Sequence, residues 1–361
     1  MKILQIINSH ALQDGGAQRL ALELHRAYRA RGHDAHLLSL MTSPTSETGT
    51  YSLGFDSPYR AAVLPRLMRF LRQKRWHDVE VIHVHLFPAQ PYVALTSAIL
   101  RPRARLITTE HNTFNRRRAT LLGRLLDRIT LRAYRKIICV SHATQSALEN
   151  WQPQARDKLI TVQNGIDLTR FKPPIQKNHA KTPIILAVGR ISTQKNYATA
   201  LRAIALLKNE DFRFQIAGQD EMNGEMQHLA RELGLEARVE FLGYQGDVVA
   251  LLGQADIFLL CSHWEGLSLA IVEAMAVGLP VVVPDVPGMD EVVGAGENPQ
   301  NAGFLVDPTS PAAVAAILAR LLRDAELRQN LGDRARARAA HFDIDRTIDE
   351  HLQLYQAIYA S

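Results

Sequence analysis

Short, almost unbroken apolar runs alternate with longer segments of helical periodicity along this chain, and that alternation restricts the fold more than any other feature. Strands buried on both faces of a sheet read as continuous apolar runs, and parallel strands need helical crossovers between them. In the first half the pattern predicts strands at Lys2–Ile7, Ala35–Leu40, Val79–His85, Arg105–Thr109, Lys136–Val140 and Leu159–Val162. Helices fill the gaps, notably Ala17–Arg31, whose apolar face is Leu20, Leu22, Leu24 and Ala27 and which stops at Gly32. The segment Lys172–Thr182 is polar with paired prolines and reads as a linker. The pattern then begins again, with strands predicted at Pro183–Val188, Phe212–Ala217, Val239–Leu242, Ile257–Cys261 and Val281–Pro284. Helices are predicted at about Lys195–Leu207, Asn223–Leu233, Asp247–Leu252 and Ser268–Val277, and helical patterns run from Pro311 to Ala360. Alternation and linker together predict an α/β protein of two doubly wound domains with a cleft between them.

A chain of 361 residues, 47% of them hydrophobic, is long enough for more than one core. The apolar start, Ile3 to Ile7, is too short for a secretory leader, and no apolar run approaches the length that spans a bilayer. Cys139 and Cys261 lie in strand-like runs and read as core residues rather than as a disulfide or metal site. A cytoplasmic protein, soluble or peripheral on the inner face of the membrane, is the expectation. The net charge of +6 hides an asymmetry: residues 1–172 carry 26 Lys and Arg against 12 Asp and Glu, the remainder 16 against 24. A first half at +14 and a second at −8 imply an anionic partner for the first: nucleic acid, an anionic membrane surface or a pyrophosphate-bearing substrate. Nucleic acid is disfavoured, because no recognised module or stacking platform accompanies the arginines. Two basic amphipathic stretches, Tyr59–Trp76 and Arg116–Lys136, fit anionic lipid equally well as helices packed on a sheet with solvated arginines. In the first stretch Phe70, Leu71 and Trp76 are interleaved with the cations and are the expected inserting residues.

The segment Glu265 to Glu273, E-G-L-S-L-A-I-V-E, follows the apolar run Ile257–Cys261 and is closed by Gly278-Leu279-Pro280. The spacing alone carries little, since Glu232 and Glu240 share it in a segment that reads as solvated. Its context carries more: a strand ends, Glu265 and Gly266 sit on the turn, a helix opens at Ser268, and Glu273 lies one turn inside that helix. Such a corner offers free backbone N–H groups and the positive end of a helix dipole to a diphosphate, with two carboxylates placed to accept from hydroxyls.

Further candidates stand on both sides of the linker. Asp14-Gly15-Gly16-Ala17 follows the first strand and opens the first helix, so its backbone can approach a ligand closely. It is not the G-x-G-x-x-G fingerprint of dinucleotide enzymes. Thr108-Thr109-Glu110-His111-Asn112 sits at a predicted strand end. Val188-Gly189-Arg190 ends the second domain's first strand and Lys195 follows at a helix start, a fork and a point charge suited to phosphate oxygens.

Gly15-Gly16, Glu110-His111, Asn164-Gly165-Ile166-Asp167, Gly189-Arg190 with Lys195, Phe241-Leu242-Gly243 and Glu265 through Glu273 occur in this order, and the chain resembles glycosyltransferase family 4 over nearly its whole length. The resemblance implies the GT-B fold, two Rossmann-like domains over residues 1–172 and 173–344, with a C-terminal helix over residues 345–361 packing back toward the first. It implies a retaining transferase moving a hexose or N-acetylhexosamine from a UDP- or GDP-linked donor. The acceptor would be a saccharide or lipid-linked saccharide in cell-surface polysaccharide, lipopolysaccharide or glycan synthesis. Glu273 would accept from the ribose hydroxyls and Glu265 would bind a hydroxyl of the transferred sugar. Arg190 and Lys195 would neutralise the diphosphate, helped by Gly189, by the N–H groups near Ser268 and Leu269, and by Gly15 and Gly16. His111 would sit beside the sugar, and Gly243 with Tyr244 would line the base pocket. No metal or other cofactor is expected, since cations and helix N–H groups aimed at the leaving phosphates can carry the charge. A nucleotide-sugar epimerase has the same two-domain shape and differs in needing no acceptor.

Overall fold

The computed structural model describes residues 1–11, 13, 15–172, 182–294 and 301–360, so Asp14 and most of the proline-bearing segment after Lys172 lie outside the described residues. The chain forms two compact units, residues 1–164 with 346–361, and residues 165–345. The division falls ahead of the segment at which the sequence places its boundary. Gly165 belongs to this junction for a steric reason. A Cβ there would lie 2.5 Å from the backbone of Asp343. Ile166 donates its N–H to the carbonyl of Phe342 at 2.9 Å and accepts from the N–H of Ile344 at 3.0 Å.

The first unit holds seven strands, β1 Lys2–Ile7, β2 Asp34–Met41, β3 Thr50–Phe55, β4 Val81–His85, β5 Arg105–Glu110, β6 Lys136–Cys139 and β7 Leu159–Thr161. Their order is β3-β2-β1-β4-β5-β6-β7, with every pairing parallel. The second unit holds β8 Ile184–Val188, β9 Arg213–Ala217, β10 Val239–Gly243, β11 Ile257–Leu259, β12 Val281–Pro284 and β13 Gly303–Val306. Their order is β10-β9-β8-β11-β12-β13, again parallel throughout. In each sheet the winding reverses beside the first strand, between β1 and β4 and between β8 and β11. The loops at such a reversal diverge beyond the strand ends and leave a crevice for a ligand.

Two edge strands, β3 and β13, escape the sequence reading. β3 reads T-Y-S-L-G-F and mixes buried with half-exposed positions, because an edge strand is not covered as a central one is. β13 is only four residues long and begins at Gly303, where a Cβ would meet the Val281 side chain at 2.4 Å.

The expectation that Phe70 and Trp76 insert into lipid is corrected by their packing. Helix Val63–Leu71 turns Val63, Leu67 and Phe70 into the core, and Trp76 on the following turn joins them. The Phe70 and Trp76 rings stack with centroids 5.0 Å apart, and the Arg75 guanidinium covers the Trp76 ring at 4.8 Å. Leu71 is half-buried against the same cluster. Burying such side chains is worth about 1.5–3 kcal/mol each, so the sheet holds them while the arginines of this stretch face solvent. The C-terminal helix Ile344–Ala360 buries Ile348, His351, Leu352, Tyr355 and Ile358. Its residues from Arg346 onward belong to the first unit, where the Tyr355 hydroxyl meets that of Tyr28 at 3.2 Å.

Candidate active site

In the second unit the candidate residues gather after β8 and β11, the two strands flanking the reversal. β8 runs into Gly189, whose φ of 152° suits glycine, and a short 3-10 turn, Thr193–Lys195, leads to helix Tyr197–Leu206. The turn is clamped to the loop after β11. The His263 N–H donates to the Gln194 carbonyl at 2.8 Å, and the Gln194 side-chain amide donates to the Trp264 carbonyl at 2.9 Å. Asn196 holds the next position with a left-handed backbone and donates its amide to the carbonyls of Cys261 and Pro308 at 3.1 and 2.8 Å.

This clamp brings together residues 70 positions apart: the Lys195 ammonium donates to Glu265 Oε1 at 2.7 Å. Only 16% and 6% of the two side chains are exposed, so the pair is shielded and removing one partner would strand the other's charge. Helix Leu269–Ala276 opens four residues after Glu265. Ser268 at its N-cap makes no side-chain cap, and although the Ile271 N–H donates to the Ser268 carbonyl at 3.2 Å, the start of the helix can face an outside acceptor. Gly266, Ser268 and Leu269 are buried, and Glu273, one turn on, is 1% exposed. A carboxylate so deeply enclosed recognises by hydrogen bonding rather than by long-range attraction.

Arg190 does not join this corner. Its guanidinium donates to Glu221 at 2.7 Å, with both side chains about 40% exposed, so the two cations expected to act as a pair each contact a different carboxylate. Gly243 ends β10 at a register irregularity with φ of 66°, and its carbonyl accepts from the Gly218 N–H at 2.8 Å. Tyr244 beside it is exposed, its ring available for contact.

In the first unit, Gly15 has φ of 134° and immediately precedes helix Gly16–Ala30, which therefore starts without a side-chain cap. His111 follows β5 and is half-buried, with Nε2 3.3 Å from His85 Nδ1. Burial pushes its pKa down to about 4, with His351 nearby adding to the effect, so the imidazole is neutral at pH 7. It can exchange hydrogen bonds there but cannot supply a cation. Glu110 accepts from Arg118 at 2.8 Å and from Asn115 at 3.2 Å, which ties down the strand end that carries His111.

Several polar residues around His111 go unnoticed in the sequence. His85 Nε2 meets Gln5 Oε1 at 3.2 Å, and His83 is held between the Tyr355 hydroxyl and Thr109 Oγ1, both at 2.6 Å. A signal was available: in the run V-I-H-V-H two histidines alternate onto one face of a strand. His351 arrives from a helix far along the chain, and no local pattern announces it.

Two doubly wound parallel sheets, with the candidate residues on loops after the strand ends, define the GT-B fold. Residues 14–170 match the model of Glycosyltransferase Family 4, and residues 169–338 match that of the Glycosyl transferases group 1. The protein belongs to glycosyltransferase family 4. The N-acetyl-alpha-D-glucosaminyl L-malate synthase of Bacillus anthracis is 26% identical over 348 residues, covering 89% of this chain and 88% of its own. The GDP-mannose:cellobiosyl-diphosphopolyprenol alpha-mannosyltransferase of Komagataeibacter xylinus is 27% identical over 390 residues, covering 99% and 93%. The crystal structure of Anabaena HepE in complex with UDP-glucose has the same fold, with a TM-score of 0.83 at 20% identity over 99% of this chain and 100% of that one.

Proposed function

We propose that this glycosyltransferase moves a hexose or N-acetylhexosamine, with retention of anomeric configuration, from a UDP- or GDP-linked donor to a saccharide or lipid-linked saccharide acceptor. The product would serve cell-surface polysaccharide, lipopolysaccharide or glycan synthesis, and the enzyme would work in the cytoplasm, at the inner face of the membrane when its acceptor is lipid-linked. The observation that carries this reading is the second unit's corner, where a shielded Lys195–Glu265 pair, an uncapped helix start at Ser268 and a buried Glu273 lie at one sheet reversal. The Komagataeibacter relative is named for a nucleotide-linked mannose donor and a polyprenol-linked acceptor, which supports both halves of the assignment.

In this reading Glu273 accepts hydrogen bonds from the ribose hydroxyls and Glu265 from a hydroxyl of the transferred sugar. Gly243 and Tyr244 line the base. Lys195, Arg190, Gly189 and the N–H groups at Ser268 and Leu269 receive the diphosphate. Transfer breaks the bond between the anomeric carbon and the β-phosphate oxygen. It forms a bond to the acceptor oxygen on the same face, while the acceptor proton passes to the departing phosphate. Charge grows on the diphosphate as the bond breaks, and preorganised donors aimed at that charge lower the barrier most. For the Arg190 side chain to take part, its bond to Glu221 must give way, which a surface pair permits at a cost of about 1 kcal/mol or less.

Because lysine, arginine and helix N–H groups are assigned the charge that a divalent ion would otherwise balance, transfer is expected to continue undiminished in excess EDTA. Initial rates with and without chelator check this. Loss of turnover that magnesium or manganese restores would contradict the assignment.

A further inference from the structure

Helix Leu121–Arg132 of the first unit, L-L-G-R-L-L-D-R-I-T-L-R, is amphipathic the wrong way round for a helix lying on a sheet. Its inward residues are Gly123, Asp127, Thr130 and Leu131. Outward it presents Leu121 at 86% exposure, Leu122 at 75%, Leu125 at 53%, Ile129 at 59% and Leu126 at 37%. On a helix of 3.6 residues per turn these five occupy an arc of about 140°. Arg124, Arg128 and Arg132 line one border of it, and all three are exposed.

The inverted orientation is locked by polar contacts. Asp127 accepts from Arg117 Nε at 2.8 Å and from the Trp151 indole N–H at 3.0 Å. Thr120 caps the first turn by accepting from the Gly123 N–H at 3.0 Å, and the Gln152 side chain donates to the Arg124 carbonyl at 2.8 Å. Gly123 presses so closely on Arg117 that a Cβ would stand 1.9 Å from its carbonyl oxygen. Turning the leucines inward would break all of these and bury nothing in return for Asp127. Helix Ala89–Leu100 packs beside this one and also exposes Leu95 and Ile99. Apolar side chains in such number, presented by a rigid support, mark a surface that another phase or molecule covers.

We propose that this face docks on an anionic lipid leaflet, its leucines and isoleucine entering the boundary between headgroups and acyl chains while the bordering arginines pair with lipid phosphates. Charge selects the occupant. The helix exposes three arginines, its one carboxylate is turned inward, and Arg101 and Arg103 stand exposed just beyond the neighbouring helix. Arginine beside a leucine arc matches the lipid interface, where apolar burial and phosphate attraction act together. No helix among the described residues is long and apolar enough to cross a membrane, so contact of this kind would be peripheral. The proposal rests on a lipid-linked acceptor in the reading above and names the surface that would bring the enzyme to it.

The test is co-sedimentation of the full chain with vesicles of equal parts phosphatidylglycerol and phosphatidylcholine, and with pure phosphatidylcholine, at low and high salt. Each preparation is also titrated with UDP and GDP by calorimetry. The wild type is expected to bind the anionic vesicles and to keep part of that binding at high salt. Leu122→Ser/Leu125→Ser/Ile129→Ser should lower the partition coefficient tenfold or more, and Arg128→Gln/Arg132→Gln should cut the preference for anionic lipid by about tenfold or more. Nucleotide binding should be unchanged in both variants, and amide exchange in the first unit that matches the wild type shows that it still folds. The proposal is overturned if the wild type ignores both vesicles, binds them equally, or binds no better than the serine variant. It is equally overturned if the wild type is a dimer that the serine variant makes monomeric, for the face then belongs to a second copy. Vesicle binding by a wild type that takes up no nucleotide would support docking and count against the donor assignment alone.

Discussion

Replacing Glu273 with alanine is expected to weaken binding of the bare nucleoside diphosphate tenfold or more, whereas Glu265→Ala leaves that binding intact or slightly tighter and depresses transfer. A hydrogen bond to a charged group contributes about 1.5–3 kcal/mol, and the ribose hydroxyls lose such bonds only in the Glu273 variant. The structure sharpens the second half of the expectation. Lys195 is held at 2.7 Å by Glu265, so deleting that carboxylate frees an ammonium for the diphosphate while removing the acceptor for the sugar hydroxyl. Turnover at saturating donor should then fall by at least tenfold, since the lost contact acts on the group being transferred. Calorimetric titration with UDP and GDP separates the two variants. Equal weakening by both would overturn the division of roles.

Acidification should destabilise the first unit by several kcal/mol between pH 6.5 and pH 5, the second large effect expected here. His83, His85 and His351 are at most 1% exposed. Burial, reinforced for His83 and His85 by neighbouring histidines, holds those two well below the ordinary value of 6.5; burial alone pushes His351 down to about 4. Once unfolded, all three take up protons as the pH drops below 6.5, while the folded unit refuses them. Their contribution is therefore complete above pH 6.5 and is lost as the pH falls toward 4. Each group costs about 1.4 kcal/mol per pH unit in that window, and the sum rivals a domain's whole stability of about 5–15 kcal/mol. Among the described residues the second unit buries no histidine, so the two units should separate in acid. Urea midpoints at pH 7, 6 and 5, followed through amide exchange in each unit, check this. A first-unit midpoint that stays flat to pH 5 would contradict it, and His351→Gln should make the slope shallower.

The central strands were legible in the sequence because burial on both faces leaves a continuous apolar signature. Lys2–Ile7 and Val281–Pro284 coincide with β1 and β12 residue for residue. β3 and β13 were not legible, since an edge strand has less to bury and therefore less pattern. The corner at Glu265 could be placed on a strand–turn–helix unit from its local residues alone. That Lys195 meets Glu265, and that Arg190 turns to Glu221 instead, depends on which loops the strand order brings together, and no spacing encodes it. The two basic amphipathic stretches show the limit most clearly. Their compositions read alike, yet Tyr59–Trp76 buries Phe70 and Trp76, while helix Leu121–Arg132 buries an aspartate and leaves Leu121, Leu122, Leu125 and Leu126 outside. The difference lies in partners far along the chain: the sheet core takes Phe70 and Trp76, and Trp151 with Arg117 takes Asp127.

The central claim, that the second unit holds a nucleoside-diphosphate sugar without a metal, is tested most directly by the thermal stability of the full chain against UDP, GDP, ADP and their sugars in excess EDTA. A ligand that binds only the folded state at a hundred times its dissociation constant adds about 2.7 kcal/mol of apparent stability, enough to raise the midpoint by several degrees. The account predicts such a rise with the uridine or the guanosine series in the presence of chelator. No rise with any of them, or a rise that appears only when a divalent ion is restored, would contradict it.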